Sequence, residues 1–309
     1  MQVPAAPLVV AICASTFACG GQGPEAESAA RVPATVTDVR RQELAVAGVR
    51  GLSDLALDLD GRTWAVAERV RFALRIDRPG ARPVAVPLLG VPDDLDVEGM
   101  AWLDHERLAL ATESDRGARS SDALLFARLG AGGIQVEERR DLDYSIWPLD
   151  PLGNQGLEGL CRAGSQLVAA VETVIAHGEE RFAPIAVHDL TTRRWTPLLL
   201  RLTTRTGKLS ALSCRTRPDR SIDVLAIERH FEVARLIRFR IPPGRQSGPL
   251  EPVVVADLAA AMIHQENFEG LLWNGARAFS LVVDNDWTQI SGPNLLVSGH
   301  LHGPLPEPR

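Results

Sequence analysis

Short apolar runs, separated by turn sequences, follow one another along most of the chain. PVAVPLL at 83–89 is typical of these runs, which are rich in Val, Leu, Ile and Ala and short enough to be strands. Asp60-Gly61 and Asn274-Gly275 are strong hairpin signals, because Asn, Asp and Gly tolerate the positive φ of tight turns. No stretch shows a sustained helical period with caps. The pattern therefore predicts an all-β protein.

One pattern recurs five times in the chain. Each copy opens with an apolar residue, an acidic residue or Ser, a small residue, and Leu or Met. It then crosses a turn, continues through a short apolar stretch and ends at an acidic residue. The copies cover 51–69, 97–114, 157–173, 209–229 and 268–286, and their entry residues are Ser53, Glu98, Glu158, Ser210 and Glu269. Successive entry residues lie 45 to 60 positions apart, a period expected for propeller blades.

Further strand-like runs lie between the hairpins, so each repeat holds a hairpin and about two more strands. A four-stranded unit of this period is typical of a β-propeller blade. Five copies predict a single propeller of five blades, and six blades are the alternative if one inter-repeat segment hides a degenerate blade. Only one clear strand follows the last copy. We therefore expect the run ELAVAG at 43–48 to complete the last blade and close the ring.

The first part of the chain reads as an export signal. Residues 1–19 contain an apolar stretch that ends in Ala18-Cys19-Gly20, the pattern of a lipoprotein signal peptide lipidated at Cys19. Two features depart from the pattern: the segment has no Lys or Arg, and Thr16 stands where Leu is usual. We expect a flexible linker at 20–35, the propeller at 36–303 and a tail at 304–309.

This organisation predicts a protein of the cell envelope, either in the periplasm or in the outer membrane as a lipoprotein. Its only contact with a membrane would be through the N-terminal lipid. Hydrophobic residues make up 45% of the chain, enough for a folded core, and the net charge of −6 argues against binding to nucleic acid. We expect a monomer. Cys161 and Cys214 form a candidate disulfide in an oxidising compartment, with two buried free thiols as the alternative.

The hairpins should bring acidic residues together in pairs. Residues that are equally distant from a turn face each other across a hairpin, so the entry residue and the final acid of a repeat should be cross-strand neighbours. The expected acidic pairs are Glu98 with Glu113, Glu158 with Glu172, and Glu269 with Asp284. Equivalent positions in all blades should then converge at one end of the central channel.

Like charges directly opposite each other are destabilising unless a cation compensates them. Ca²⁺ fits carboxylate and amide oxygens best, and the motif has no Cys or His spacing for zinc. We expect Glu98, Glu158, Glu269 and Asp284 to be metal ligands and Glu113 or Glu172 to activate water. The alternative is structural: the acids serve only as partners of backbone N–H groups or of arginines such as Arg69 and Arg229.

The chain resembles the family named for the esterase-like activity of phytase. The segments that carry the resemblance are GLSDLAL, DVEGMAW, NQGLEGL, NFEGLLW and VVDND, in this order between residues 50 and 287. The resemblance implies an exported propeller that hydrolyses esters or phosphoesters. Two copies depart from the Glu-Gly pattern, with Ser53-Asp54 in the first and Ser210-Ala211 in the fourth, so a symmetric ring of ligands is interrupted there.

Three functions fit these observations. The first is a metal-dependent hydrolase that acts on a phosphoester, an ester or a lactone at the channel mouth, with a small or phosphorylated molecule as its substrate. The second is a binding propeller that holds a ligand or a protein at the cell surface without chemistry. The third is a structural module of the envelope. Because one fold hosts many functions, only the geometry and chemistry of the site can distinguish these three.

Overall fold

Strands account for nearly all the regular structure of the chain. The computed structural model describes residues 34–308 except 115–116, 118, 150–154, 231–232, 262–266 and 287–291. Within these ranges the helices are one four-residue α-helix, Leu258–Ala261, and one 3₁₀ turn, Tyr144–Ile146. The all-β class is therefore confirmed. None of the described helices has the length and apolar character needed to cross a membrane. Cys19 and most of the expected linker lie outside the described residues.

Twenty-two strands follow one another in the described ranges. They are β1 (Thr35–Glu43), β2 (Leu52–Leu57), β3 (Thr63–Ala67), β4 (Phe72–Ile76), β5 (Val84–Leu89), β6 (Asp96–Trp102), β7 (Arg107–Glu113), β8 (Ser121–Gly130), β9 (Gly133–Asp143), β10 (Leu157–Ala163), β11 (Gln166–Val171), β12 (Ile175–His177), β13 (Glu180–Asp189), β14 (Trp195–Arg201), β15 (Lys208–Thr216), β16 (Ile222–His230), β17 (Val233–Ile241), β18 (Pro249–Leu250), β19 (Val253–Asp257), β20 (Phe268–Leu272), β21 (Ala278–Val283) and β22 (Leu295–His302).

Hydrogen bonding groups these strands into antiparallel units of four, which we number by their first strands. Unit 1 has the order β2-β3-β4-β5, unit 2 is β6-β7-β8-β9, unit 3 is β10-β11-β13-β14, unit 4 is β15-β16-β17-β19, and unit 5 is β20-β21-β22-β1. Two parallel pairs lie at the outer edges of the described units: β5 of unit 1 pairs with β9 of unit 2, and β14 of unit 3 pairs with β18, which lies between β17 and β19 of unit 4 in the chain. The sheets thus follow the repeats that the sequence shows.

The first strands of the units pack against one another. β2 contacts β6, β6 contacts β10, β10 contacts β15, β15 contacts β20, and β20 contacts β2. The small residues after the acidic entry residues allow this approach. A Cβ on Gly99 would lie 2.8 Å from the Cβ of Leu160, and one on Gly159 would lie 2.9 Å from the backbone N of Leu212. Glycine at these positions therefore serves close packing between units.

Apolar side chains fill the space between neighbouring units. Trp64 of unit 1 and Trp102 of unit 2 lie with their ring centroids 5.0 Å apart, which buries a large apolar area at that interface. A disulfide joins Cys161 of β10 to Cys214 of β15, with the two Cα atoms 5.4 Å apart. Units 3 and 4 are thus linked covalently near their inner edge.

The partner of β22 lies earlier in the chain than the sequence pattern predicts. β1 pairs with β22 from Thr35 opposite His302 to Glu43 opposite Leu295. The range 43–48 contributes only Glu43 to this strand, so its assignment as the outer strand was wrong. Leu44 is instead fully buried in the apolar core, which explains why its segment resembles a strand in sequence.

Candidate functional site

Every first strand contains a β-bulge at its entry residue. The pairing register shifts at Ser53 in β2, at Glu98 in β6, at Ser210 in β15 and at Glu269 in β20. In β10 the register shifts between Leu157 and Leu160, a segment that contains the remaining entry residue, Glu158. A bulge leaves its residue outside the ladder and redirects the side chain. The repeated motif therefore encodes a repeated bulge.

The bulges change the acidic pairs that the hairpins form. Glu113 lies opposite Asp96 and not opposite Glu98. In the same way, the backbone N–H of Glu172 donates to Gly156 O, and that of Asp284 donates to Asn267 O. Each final acid thus faces the residue two positions before the entry glutamate. The expected direct pairs were wrong, because the bulge adds one residue and the turn centre lies half a residue earlier than assumed.

The structure brings Glu98, Glu158 and Glu269 close enough to affect one another's ionisation. All three are buried, with 5%, 8% and 7% of their surfaces exposed. Burial raises the pKa of Glu98 well above its ordinary value, and the carboxylates of Glu68, Glu113 and Glu269 raise it further. Burial likewise raises the pKa of Glu158, helped by nearby carboxylates that include Glu269 and Glu98. We call the end of the first strands that holds these residues the acidic mouth.

Three carboxylates of the acidic mouth could hold a metal ion. One oxygen from each of Glu68, Asp96 and Glu98 lies within 4.8 Å of the others. We call this set the three-carboxylate group. Burial, with the charges of Asp284 and Glu269, raises the pKa of Glu68 to about 8. All donors are oxygens, which suits Ca²⁺ or Mg²⁺ and does not suit zinc.

Two members of this group were missed from the sequence. Glu68 is the final acid of the first repeat, but that repeat opens with Ser53, so no acidic pair pointed to it. Asp96 lies outside the motif, and only the shifted register places it opposite Glu113. A search for the final acid of every repeat, regardless of its entry residue, would have found Glu68.

The two expected catalytic acids already have partners. Glu113 accepts a hydrogen bond of 2.7 Å from the backbone N–H of Gly156, and its carboxylate lies 3.5 Å from the guanidinium of Arg119. Burial outweighs both contacts and raises the pKa of Glu113 to about 9. Glu172 lies 3.4 Å from Nζ of Lys208, the only lysine in the chain.

Unit 4 supplies cations where the other units supply acids or neutral residues. Lys208 lies opposite Arg229 at the positions that Asp96 and Glu113 occupy in unit 2. Arg229 forms an ion pair with Glu269. The acidic mouth is therefore asymmetric, with Glu68, Glu98 and Glu158 on the side of units 1 to 3 and two cations on the side of unit 4.

Asn267 connects the two acids of unit 5. Its side-chain amide donates to Glu269 at 2.9 Å and to Asp284 at 2.8 Å. Asp284 also accepts the backbone N–H of Asp286 at 2.8 Å. Among the described residues, in contrast, Glu98 and Glu158 accept no hydrogen bond and form no salt bridge. These two of the four expected metal ligands are the ones left available for a ligand.

A cavity of about 410 Å³ adjoins the acidic mouth between units 5 and 1. Arg50, Arg69, Asn285 and Asp286 are among its lining residues. The guanidinium of Arg69 lies 3.6 Å from Asp96 of the three-carboxylate group and 3.9 Å from Asp286. The cavity and the group are therefore neighbours with one arginine between them.

Comparison with solved structures shows a propeller-like fold. The chain is similar to the allergen Mala s 1 of Malassezia sympodialis, with a TM-score of 0.53, 9% identity, and coverage of 84% of this chain and 95% of that one. It is also similar to the PQQ-bound aldose sugar dehydrogenase of Streptomyces coelicolor, with a TM-score of 0.49, 11% identity, and coverage of 87% and 99%. At such identities the likeness concerns the fold alone.

No curated protein matches the sequence. A family profile does: the one described as phytase-like, esterase-like activity of phytase, matches residues 47–287. This range contains all five copies of the repeat, the bulged entry residues and the three-carboxylate group. The chain therefore belongs to the phytase-like family described by the esterase-like activity of phytase.

Proposed function

We propose that this protein is a metal-dependent hydrolase of ester, lactone or phosphoester bonds, with its site at the acidic mouth. The observation that carries the proposal is the three-carboxylate group, in which oxygens of Glu68, Asp96 and Glu98 lie within 4.8 Å of one another. Membership of the phytase-like family supports the same reaction class.

The proposed scaffold is a ring of five blades, each of them one unit, closed by β1. Two observations support it: the first strands contact each other in cyclic order, and β1 supplies the fourth strand of unit 5. In the described part of the chain the strands outside these units are only β12 and β18, of three and two residues. A sixth blade would need four strands.

Ca²⁺ is the proposed metal. It takes six to eight oxygen ligands, so three carboxylates leave coordination positions for water and a substrate oxygen. A bound Ca²⁺ would polarise the oxygen of the scissile group. The carboxylates also fit the cation electrostatically. Burial and mutual repulsion raise the pKa of Glu68 and Glu98, and a bound positive charge would oppose both effects by favouring the ionised carboxylates.

We assign proton transfer to Glu158 and not to Glu113 or Glu172. Arg119 and Lys208 already engage those two acids, whereas Glu158 has no hydrogen-bond partner among the described residues. Burial and neighbouring carboxylates raise the pKa of Glu158 well above its ordinary value, which favours the protonated side chain. Such a group can give a proton to a leaving group or take one from water.

Hydrolysis of p-nitrophenyl acetate and p-nitrophenyl phosphate tests the proposal. We expect activity on at least one substrate that EDTA removes and Ca²⁺ restores. Glu98→Gln removes one ligand charge and should lower the Ca²⁺-dependent rate by about 100-fold or more. Glu137→Gln, at an exposed position on β9, is the matched control and should leave the rate unchanged. Equal Ca²⁺-dependent rates in the wild type and Glu98→Gln would contradict the proposal.

A binding propeller is the second candidate. Three acids of the mouth lie beside cations: Glu113 near Arg119, Glu172 near Lys208, and Glu269 in an ion pair with Arg229. This arrangement suits the binding of a ligand as well as it suits turnover. Ca²⁺ binding without hydrolysis of any ester would favour it. The ligand would be a small molecule or a protein segment held at the same mouth.

We further propose that the protein is an exported monomer of the cell envelope, anchored by a lipid at Cys19 and without affinity for nucleic acid. The disulfide Cys161–Cys214 supports export, because disulfides persist mainly in oxidising compartments. Mass spectrometry of the mature protein tests the anchor. A lipid mass on a new N-terminal Cys19 is expected, and an intact Met1 on cytosolic protein would exclude it.

A further inference from the structure

Ser53 stands at the bulge of unit 1 where three other units have glutamate. Its side chain does not face the acidic mouth as a ligand. The hydroxyl donates a hydrogen bond of 2.6 Å to the backbone carbonyl of Val97, the residue before Glu98. Ser53 is 2% exposed, so the bond is shielded from water. A residue of unit 1 thus holds the backbone on one side of the Glu98 bulge.

Asp54 holds the other side of the same bulge. It accepts a hydrogen bond of 2.8 Å from the backbone N–H of Met100, two residues after Glu98. Asp54 is fully buried, and a Cβ on Gly270 would lie 2.7 Å from its Cα. The close packing of unit 5 therefore leaves Asp54 no room to move away.

The two contacts enclose Glu98 between fixed points. A bulge interrupts the hydrogen-bond ladder, so its backbone needs other partners to keep one geometry. Unit 4 repeats half of the arrangement: Ser210 Oγ donates at 2.9 Å to Phe268 O, the carbonyl before Glu269. Position 211 is alanine, so unit 4 has no counterpart of the Asp54 contact.

We propose that Ser53 and Asp54 are positioning residues that hold Glu98 in the three-carboxylate group. The inference rests on the proposed metal site and names the residues that set its geometry. The first repeat has Ser-Asp where others have Glu-Gly, and these two residues orient Glu98 of the second repeat. The matching replacement at Ser210 orients Glu269, which forms its ion pair with Arg229 outside the group.

Calorimetric titration with Ca²⁺ tests the inference, with thermal melts of the same variants. Ser53→Ala should weaken Ca²⁺ binding by about 10- to 100-fold, the usual effect of losing a group that orients a ligand. Ser210→Ala removes the same kind of bond from Glu269 and is the matched control. It should lower the melting temperature by as much as Ser53→Ala, yet leave Ca²⁺ affinity within about twofold. Ser53→Thr keeps the hydroxyl and should restore binding.

Amide exchange of the metal-free protein provides a second measurement. Asp54→Ala should speed exchange in a peptide that contains Met100, while Asp54→Asn keeps an acceptor oxygen and should preserve protection. Equal loss of Ca²⁺ affinity in Ser53→Ala and Ser210→Ala would overturn the inference and leave the metal site standing. A wild type that binds no Ca²⁺ would overturn the metal site, and the positioning role with it. Unchanged exchange at Met100 in Asp54→Ala would overturn the positioning role alone.

Discussion

Glu113 and Glu172 are the final acids of their repeats, and a cation lies near each carboxylate. The two cations come from different parts of the chain. Arg119 follows Glu113 in the same unit, whereas Lys208 reaches Glu172 from unit 4. Neither cation belongs to the repeated motif. The sequence pattern therefore could not show that these two acids have charged partners, and it predicted that one of them activates water. The entry glutamates Glu98, Glu158 and Glu269 lie close to one another, but only a structure shows which acids of the mouth already have a partner.

The raised pKa values predict how stability depends on pH without metal. Burial and neighbouring acids raise the pKa of Glu68 from 4.5 to about 8, and burial raises that of Glu113 from 4.5 to about 9. Between pH 4.5 and 9 the folded state therefore keeps protons that the unfolded chain has released. Stability must fall as pH rises through this window. Thermal melts in EDTA should show the decline.

Ca²⁺ should reduce this decline, because a bound cation favours the ionised carboxylates. Glu68→Gln should reduce it in EDTA, since the amide does not titrate. The control is Glu137→Gln, whose exposed side chain should leave the pH profile as it is in the wild type. A melting temperature that is constant from pH 5 to 8 in EDTA would contradict the raised pKa values.

At the scale of elements, the repeat and its hairpins could be predicted, and the register could not. The motif and the two clearest turns identify the first two strands of each unit. A bulge adds a single residue and leaves no mark in the hydrophobic pattern, so the acids were paired two positions from their true neighbours. The sequence pattern did not identify β1 as the partner of β22, because its sequence, TVTDVRRQE, is polar and mostly exposed, as an outer strand permits.

The disulfide follows from how neighbouring sheets face each other. Equivalent positions in two units point the same way around the ring, so a bridge needs one side chain from each of the two opposite faces. Cys161 lies three residues after Glu158 and Cys214 four residues after Ser210. This offset of one residue places the two side chains on opposite faces of their strands and so turns them toward each other.

Removing this bond should destabilise the fold strongly. The two cysteines are 53 residues apart, and closing a loop of that length stabilises by about 4 kcal/mol in the chain-entropy model. Denaturant unfolding of Cys161→Ser/Cys214→Ser should show a loss of this order. Wild-type protein in a reducing agent is the control and should lose a similar amount. If reduction leaves the unfolding midpoint unchanged, the thiols are not joined in solution.

For the whole molecule, the proposed closure of the ring by β1 makes a prediction about truncation. A chain of residues 34–309 retains β1, whereas a chain of residues 45–309 lacks it and exposes the edge of β22. The longer chain should melt as the full protein does. The shorter one should unfold at lower temperature or aggregate, because an open sheet edge pairs with other chains. Melting and light scattering of the two variants decide this, and identical behaviour would show that β1 does not close the ring.

The parallel pairing of β5 with β9 has a consequence for how the molecule fluctuates. Leu88 and Leu89 of β5 lie beside Ile134 and Gln135 of β9, so units 1 and 2 share one continuous sheet. Units 3 and 4 are tied by the disulfide and by β14 with β18. In the proposed ring, units 1 and 2 form one stiff pair, units 3 and 4 form another, and unit 5 stands alone. Transient opening should then concentrate at the three interfaces between these parts. Glu68 and Glu98 belong to the pair formed by units 1 and 2. Transient opening at the other interfaces would therefore leave the three-carboxylate group assembled while the width of the mouth changes.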